Sequence, residues 1–227
     1  MSLSTTTTTT STSASTTPTD TRGATVFTIV PATPATVADT ADVLASAFEN
    51  ETVMGSLITG RNRRSRLAGL FRALMASGAL ATGRVDVARR DDDGAVLGAA
   101  IWEAPGHHAS LFSQVRRAPE FLRALGWSGL PAALRLQGVL GTYRPAEPHW
   151  YLAQIGVGDA ARGAGVGSAL LTSRLAAIDA SGMPAYLESS NERNRALYRR
   201  YGFTTIANVE GIPGASPAAM WRRAAVA

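Results

Sequence analysis

The feature that most constrains this chain is a glycine-rich stretch between a strand-like segment and an apolar segment of helical spacing. It reads RGAGVGSALL, from Arg162 to Leu171, with glycines at positions 163, 165 and 167. The segment before it, HWYLAQIGV (149–157), has the composition of a β-strand. A strand-to-helix turn without side chains exposes backbone N–H groups at the positive end of the helix dipole. Such a turn can bind a phosphate group, although three glycines can also simply make a tight turn.

Two familiar glycine-rich motifs are excluded. The dinucleotide-binding pattern GxGxxG places its third glycine at position 168, where this chain has Ser168. The nucleotide-binding P-loop needs a lysine before its Ser or Thr, and the chain contains no lysine. The glycines therefore indicate either another kind of phosphate-binding turn or a purely structural one.

Hydrophobic periodicity and turn residues predict seven strands and five helical segments. The predicted strands cover residues 24–30, the two arms of a hairpin within 83–105, and residues 149–157, 185–189, 204–209 and 218–222. The hairpin turn is predicted at Asp93-Gly94, a dipeptide that strongly favours such turns. Helices are predicted for residues 36–48, 64–75, 111–139 with an interruption at 126–131, the segment from the glycines to residue 180, and 191–203 with its end at Gly202.

The composition excludes several classes of function. Without cysteine there is no disulfide, thiolate metal site or cysteine nucleophile, and without lysine there is no Schiff-base chemistry. No apolar run reaches the roughly 20 residues of a transmembrane helix. The first 24 residues are rich in Ser and Thr and lack the apolar core of a secretory signal. We therefore expect a disordered tail and a cytoplasmic protein.

The net charge of +5 suggests an anionic partner, and all 22 basic residues are arginines. The densest cluster, RNRRSR (61–66), is short and has no aromatic residues between its arginines. It is a weak nucleic-acid signature. We interpret it as the solvated start of a helix, with other arginines available for a small phosphorylated ligand.

Two motifs in register resemble the GNAT family of N-acetyltransferases. Arg162, Gly165 and Gly167 fit the pattern Arg/Gln-x-x-Gly-x-Gly/Ala that follows the family's fourth strand, and LYRRYGF (197–203) resembles its Leu-Tyr-x-x-x-Gly-Phe ending. Over residues 143–221 the chain is most similar to puromycin N-acetyltransferase-like members.

The resemblance implies an α+β GNAT fold, in which a mixed central β-sheet of about seven strands is flanked by helices. The implied order is strand, helix, helix, strand, strand, helical insert, strand, helix, strand, helix, strand, strand. One N-acetyltransferase domain over residues 25–227 would follow a tail of residues 1–24.

The resemblance also implies acetyl-CoA as cosubstrate. Its pyrophosphate would be held by the backbone N–H groups of the glycine-rich turn, namely Arg162, Gly163, Ala164, Gly165, Val166, Gly167 and Ser168. The strand backbone at Ile155, Gly156 and Val157 would contact the acetyl group and the pantetheine arm. Asn191 or Asn194 would bond the CoA arm, with an N-cap role as the alternative for Asn191.

The inferred reaction is direct attack of an amine on acetyl-CoA in a ternary complex. Tyr198 is the candidate general acid, because a phenol with a pKa near ~10 stays protonated at neutral pH and can donate to a thiolate whose thiol has a pKa of roughly 8.5. Asn191, Asn194 and Tyr198 are spaced to share one helix face. Glu188 in YLESS resembles the Leu-Glu of bacterial ribosomal-protein N-acetyltransferases and is the candidate base. Glu103 in IWEAP is a rival base or a site for a substrate cation, and a water relay is a third route.

No metal is expected. His107 and His108 are adjacent and point apart, and His149 stands alone in the sequence. The expected partners are acetyl-CoA and a small, antibiotic- or metabolite-like primary amine, without nucleic acid or membrane, in a monomer or homodimer. The alternatives are an acetyltransferase for peptide or protein N-termini, and a non-catalytic CoA-sensing or nucleic-acid-binding module on the same fold.

Overall fold

The structure, a computed structural model, describes residues 25–54, 57–82, 84–106 and 117–224. Its strands are β1 (Phe27–Pro31), β2 (Val85–Arg90), β3 (Val96–Glu103), β4 (Trp150–Val157), β5 (Ala185–Ser189), β6 (Thr204–Asn208) and β7 (Ala218–Arg222). Its α-helices are α1 (Val37–Phe48), α2 (Arg63–Leu74), α3 (Ala118–Tyr143), α4 (Val166–Ala180) and α5 (Glu192–Arg200). The predicted order of elements is confirmed. The predicted disordered tail, His107, His108 and the first residues of the helical insert lie outside the described residues.

All seven strands belong to one mixed sheet, in the order β1-β2-β3-β4-β5-β7-β6. Its neighbouring strands are antiparallel except for β4 and β5, which run parallel. The β2–β3 hairpin turns where the Asp-Gly pair predicts it, with Gly94 at a φ of 73°. The predicted α+β class, with a mixed central sheet of seven strands flanked by helices, is thereby confirmed.

Strands β4 and β5 pair over only two residues and then separate. The paired positions are Trp150 with Ala185 and Tyr151 with Tyr186. Just beyond them the register of β4 against β3 shifts, so that Ala153 has no partner in the ladder. A bulge of this kind bends its strand and increases its twist. The two strands therefore diverge and leave a cleft between their C-terminal halves.

The sheet carries a separate apolar core on each face. Helices α4 and α5 cover one core, whose largest buried side chains include Trp102, Leu170 and Ile178. Helices α1, α2 and α3 cover the other, which is centred on Leu44 and Phe71. The apolar residues of helical spacing that predict these helices are thus the ones that bury them.

Helix α3 breaks at one residue rather than across the whole interruption predicted at 126–131. Gly126 has a φ of 72°, and the chain is helical again on both sides. Arg66 binds the carbonyl oxygens that the break leaves free, with nitrogen-to-oxygen distances of 2.9 Å to Ala124 and 2.8 Å to Leu125. The arginine cluster at 61–66 is therefore only partly solvated, because Arg66 holds α2 against α3.

Candidate active site

The glycine-rich turn leads from β4 into α4 and is exposed. Gly163 and Gly165 have φ values of 84° and 80°, which side chains rarely adopt, and a Cβ atom at either position would meet nothing within 4 Å. No side chain caps α4, and the N–H groups of Val166, Gly167 and Ser168 precede its first intrahelical hydrogen bond. These three donors have no partner among the described residues, and such donors at an open helix N-terminus have the geometry that binds a phosphate.

Other contacts hold this turn in place. The hydroxyl of Tyr201 donates to the carbonyl oxygen of Ser168 at 2.9 Å, which ties the first turn of α4 to the end of α5. Arg162 forms an exposed ion pair with Asp159 at 2.7 Å. The N–H of Ala164 donates to the carbonyl of Ala161 at 3.3 Å, so its donor is already used within the loop.

The backbone positions predicted on β4 differ in their surroundings. Ile155 lines the cleft between β4 and β5. Gly156 lies under α1, where an added Cβ would be 2.8 Å from the Cβ of Ala47. The side chain of Val157 packs near the start of α4, and its Cγ2 atom would lie 3.6 Å from a Cβ atom added at Gly167. The glycine at 156 is thus required by the close approach of α1, a reason that the sequence motif does not show.

The cleft between the diverging strands is lined by residues of five elements, α1, α3, β4, β5 and α5, and of neighbouring loops. Its lining includes Phe48, Glu51, Val53, Met54, Leu140, Tyr151, Leu152, Ala153, Gln154, Ile155, Leu187, Glu188, Ser190, Asn194, Tyr198 and Pro217. Both the candidate acid and the first candidate base are therefore in one cavity. They reach it from elements that are separate in the sequence.

Tyr198 and Asn194 reach the cleft from α5. Tyr198 is 5% exposed, and burial raises the pKa of its phenol above the ordinary value, which keeps it protonated at neutral pH. Among the described residues its hydroxyl has no hydrogen-bond partner. Asn191 does not line the cleft; its side-chain oxygen accepts the N–H of Asn194 at 2.9 Å and caps α5.

Glu188 lies in the cleft on β5. Burial raises the pKa of its carboxyl group, and the hydrogen bond that the Tyr151 hydroxyl donates at 2.7 Å acts in the other direction. A carboxylate with a raised pKa is better matched to take a proton near neutral pH than an ordinary one.

Glu103 lies outside the cleft and pairs with Arg144, at 2.9 Å. The guanidinium carbon of Arg144 lies 4.1 Å from the ring centre of Tyr151, which in turn bonds Glu188. Arg144 and Tyr151 therefore link the two predicted carboxylates, and no motif in the sequence points to either residue. Tyr151 faces Glu103 across the β3–β4 ladder, but only the strand register reveals that pairing.

His149 is buried next to this network. Its Nδ1 atom lies 2.6 Å from the carbonyl oxygen of Glu147, and its ring meets the rings of Tyr186 and Trp221 edge-on. Within the described part of the chain, no group of three His, Asp or Glu side chains could hold a metal ion. His107 and His108 lie outside that part.

Comparison with known proteins decides the family. The model of the acetyltransferase (GNAT) family matches residues 87–203, which is 117 of the 227 residues and includes the glycine-rich turn and the cleft residues of β4, β5 and α5. The chain belongs to this family.

Solved GNAT-fold structures superpose on nearly the whole chain. One from Corynebacterium glutamicum, described as histone acetyltransferase HPA2 and related acetyltransferase, is 29% identical with a TM-score of 0.71 and covers 88% of this chain and 98% of its own. Arylalkylamine N-acetyltransferase 2 from Aedes aegypti is 12% identical with a TM-score of 0.65 and covers 88% and 99%. An agmatine N-acetyltransferase is 12% identical with a TM-score of 0.59 and covers 86% and 97%. The last two likenesses concern the fold alone.

None of the helices in the described ranges is long and apolar enough to span a membrane.

Proposed function

We propose that this GNAT protein transfers the acetyl group of acetyl-CoA to a primary amine of a small molecule. The observation that carries the proposal is one cavity that contains a protonated tyrosine, Tyr198, and a carboxylate with a raised pKa, Glu188. The cavity lies between β4 and β5, and the exposed glycine-rich turn follows β4. Membership of the acetyltransferase family supports the choice of the acyl donor.

The turn fits the pyrophosphate of CoA for a physical reason. The open space beside Gly163 and Gly165 and the free N–H groups of Val166, Gly167 and Ser168 suit an anion that approaches the backbone directly. The pantetheine arm would then follow β4 past Ile155 into the cleft, where Asn194 is available as a hydrogen-bond partner.

In the proposed reaction the amine nitrogen forms a bond to the thioester carbonyl carbon, and the carbon–sulfur bond breaks. Glu188 takes a proton from the amine, and Tyr198 gives its proton to the departing thiolate. No acyl-enzyme is needed, which agrees with a chain that has no cysteine. A water molecule serving instead of Glu188 is the alternative for the first proton transfer.

Two kinds of acceptor have support. Among proteins of this fold are enzymes named for agmatine and arylalkylamines, which are small amines, and the resemblance to puromycin N-acetyltransferase-like members also favours a small amine. The Corynebacterium structure, however, is described in part as a histone acetyltransferase. We therefore keep a peptide or protein amine as the second candidate.

The test is CoA release from acetyl-CoA with a panel of acceptors. The panel contains puromycin, agmatine, an arylalkylamine, a peptide with a free N-terminus and a lysine-containing histone-tail peptide. We expect turnover with at least one small amine at a higher kcat/KM than with either peptide. Turnover with peptides alone would establish the second candidate, and no turnover with any acceptor would refute both and favour a non-catalytic CoA-binding module.

A further inference from the structure

The glycine-rich turn has few contacts of its own to hold its shape. Gly163 and Gly165 have positive φ values, and no side chain of the described residues caps α4. The N–H groups of Arg162 and Ala164 make hydrogen bonds of 3.3 Å within the loop, which is longer than the usual range. The ion pair of the Arg162 side chain is exposed and therefore weak. Because glycine has more backbone freedom than other residues, such a turn needs support from outside.

Tyr201 supplies this support from the end of α5. Its hydroxyl donates to the carbonyl oxygen of Ser168 at 2.9 Å and lies 3.2 Å from the hydroxyl oxygen of Thr172. A phenol has one proton, so the Thr172 hydroxyl is the donor in the second contact. Ser168 also carries one of the three N–H groups that precede the first intrahelical bond of α4. The tyrosine therefore binds a residue that is itself part of the proposed phosphate site.

The backbone of Tyr201 is fixed as well. The Nε atom of Arg222 donates to the carbonyl oxygen of Tyr201 at 2.8 Å, and Nη2 of the same guanidinium lies 2.8 Å from Oδ2 of Asp179 in α4. The Arg222 side chain is only 15% exposed, so water screens this ion pair little. The phenol thus extends from a fixed point at the end of α5 to the first turn of α4.

The same contact connects the glycine-rich turn to the candidate acid. Tyr201 directly follows α5, the helix that carries Asn194 and Tyr198. The bond to Ser168 therefore sets the first turn of α4 relative to the helix of the acid. Donors that are already placed before a ligand arrives need no further ordering, which makes binding tighter.

We propose that Tyr201 is a positioning residue for the acyl donor, whose hydroxyl keeps the first turn of α4 in the conformation that binds the pyrophosphate of CoA. This inference rests on the proposed function, because it takes acetyl-CoA as the donor. Without the hydroxyl the turn populates other conformations, and the affinity falls in proportion to the fraction that remains competent to bind. The proton transfers in the cleft are left as they are, because Tyr201 is not one of the described residues that line it.

Calorimetric titration with CoA measures this effect without an acceptor. Tyr201→Phe keeps the ring and removes the hydroxyl, and we expect the Kd for CoA to rise roughly 3- to 10-fold, the range for one hydrogen bond. Tyr143→Phe is the matched control and should keep the wild-type Kd, because the Tyr143 hydroxyl bonds the backbone of Glu210, away from the turn. An unchanged Kd in Tyr201→Phe would overturn the proposal even if the melting temperature fell, since a merely structural hydroxyl affects stability and not affinity.

A second acyl donor identifies the part of CoA that the tyrosine serves. Acetyl-pantetheine has the same thioester but lacks the pyrophosphate and the adenosine. With the best acceptor, Tyr201→Phe should raise the KM for acetyl-CoA roughly 3- to 10-fold and keep kcat within about twofold of the wild type. The kcat/KM for acetyl-pantetheine should not change. An equal loss with both donors would overturn the proposal, because the defect would then lie at the thioester or in the fold.

The two measurements separate failure of this inference from failure of the proposed function. Weaker CoA binding in Tyr201→Phe, with no turnover of any amine by the wild type, supports the role of Tyr201 and refutes acetyl transfer. Turnover by the wild type, with a normal Kd in Tyr201→Phe, leaves the proposed function intact and refutes the role of Tyr201. No binding of CoA to the wild-type protein would refute both.

Discussion

At the scale of single residues, the candidate acid and base come from different sides of the sheet. Tyr198 belongs to the core under α4 and α5, whereas Tyr151, which bonds Glu188, packs against a third apolar cluster formed by Tyr186, Val209 and Ala219. The two groups line the same cleft because β4 and β5 separate. Each can therefore be altered without direct disturbance of the packing around the other.

Tyr198→Phe tests the acid. If Tyr198 protonates the thiolate, kcat should fall by roughly 10² to 10⁴, and the affinity for acetyl-CoA should hardly change. The melting temperature should also stay close to that of the wild type, because the hydroxyl has no hydrogen-bond partner among the described residues. Both are measured on one preparation with the best acceptor. Turnover within threefold of the wild type would leave water as the proton donor.

Tyr151→Phe tests how Glu188 is tuned. Glu188 must be ionised to accept a proton, so kcat/KM should fall as the pH drops through its pKa. The Tyr151 hydroxyl stabilises the carboxylate form and lowers that pKa against the effect of burial. Without the hydroxyl the pKa should rise further, and the acid limb of the kcat/KM profile should move to higher pH.

Tyr143→Phe is the control for the pH profile, since its hydroxyl accepts the N–H of Glu210 and makes no bond to Glu188. Its acid limb should coincide with that of the wild type. An acid limb that stays in place in Tyr151→Phe would show that Glu188 does not set it.

At the scale of elements, α4 connects the glycine-rich turn to the core under α4 and α5. Its apolar side chains, such as Leu170 and Ile178, are fully buried against the sheet. Arg174 forms a buried ion pair with Asp86 of β2, with 2.8 Å between Nε and Oδ2. These contacts fix α4 against the sheet, and the hydrogen bond from the Tyr201 hydroxyl to the carbonyl oxygen of Ser168 holds its first turn.

Gly165→Val tests the turn against a matched change at the other end of the same helix. Gly165 and Gly182 both have positive φ, at 80° and 64°, and neither position would bring a Cβ within 4 Å of another atom. Valine at either position should therefore lower the free energy of unfolding by a similar amount, about 1–2 kcal/mol, because its side chain disfavours a positive φ.

The two variants should differ in their response to acetyl-CoA. At 100 times its Kd, a ligand that binds only the folded state adds about 2.7 kcal/mol of stability, so acetyl-CoA should raise the melting temperature of the wild type and of Gly182→Val. Gly165→Val should show no such rise, because its side chain would occupy the proposed phosphate position. A normal rise in Gly165→Val would place the pyrophosphate elsewhere.

At the scale of the whole molecule, the position of the cleft depends on how the helical layers pack on the sheet. Helix α1 lies close to β4 because Gly156 has no side chain, and a Cβ there would approach Ala47 to 2.8 Å and Leu44 to 3.0 Å. That close packing brings Phe48 at the end of α1, and Glu51 just after it, to the cleft.

Gly156→Ala should destabilise the protein by about 1–3 kcal/mol, the usual cost of overpacking a filled core. Gly138→Ala is the control, and we expect it to change the free energy of unfolding in the opposite direction. Gly138 lies within α3, where an added Cβ atom would have no other atom within 4 Å. The substitution should stabilise by about 0.4–1 kcal/mol through the unfolded state. Chemical denaturation of both variants measures the two changes. Equal stability of the two would contradict the close contact of α1 with β4.

Local patterns in the sequence predicted the elements well. The strand over 185–189 is found at the predicted residues, and the helix predicted for 36–48 is observed as Val37–Phe48. The turn at Gly163 and Gly165 was also predictable, because positive φ is a local property of the backbone that glycine satisfies. Tyr198 and Asn194 could be assigned to one helix face from their spacing alone.

Contacts between distant segments were decided only by the tertiary structure. Arg144 and Glu103 are 41 residues apart, Tyr151 and Glu188 are 37 apart, and Arg66 reaches a carbonyl 58 residues away. The sequence alone therefore determined which segments are strands, helices and turns, since neighbouring residues dictate periodicity and backbone conformation. Strand order, the separation of β4 from β5 and the surroundings of Glu51, Glu103 and Glu188 depend on which of many possible long-range pairings buries the most apolar surface, and only the folded chain settles that choice.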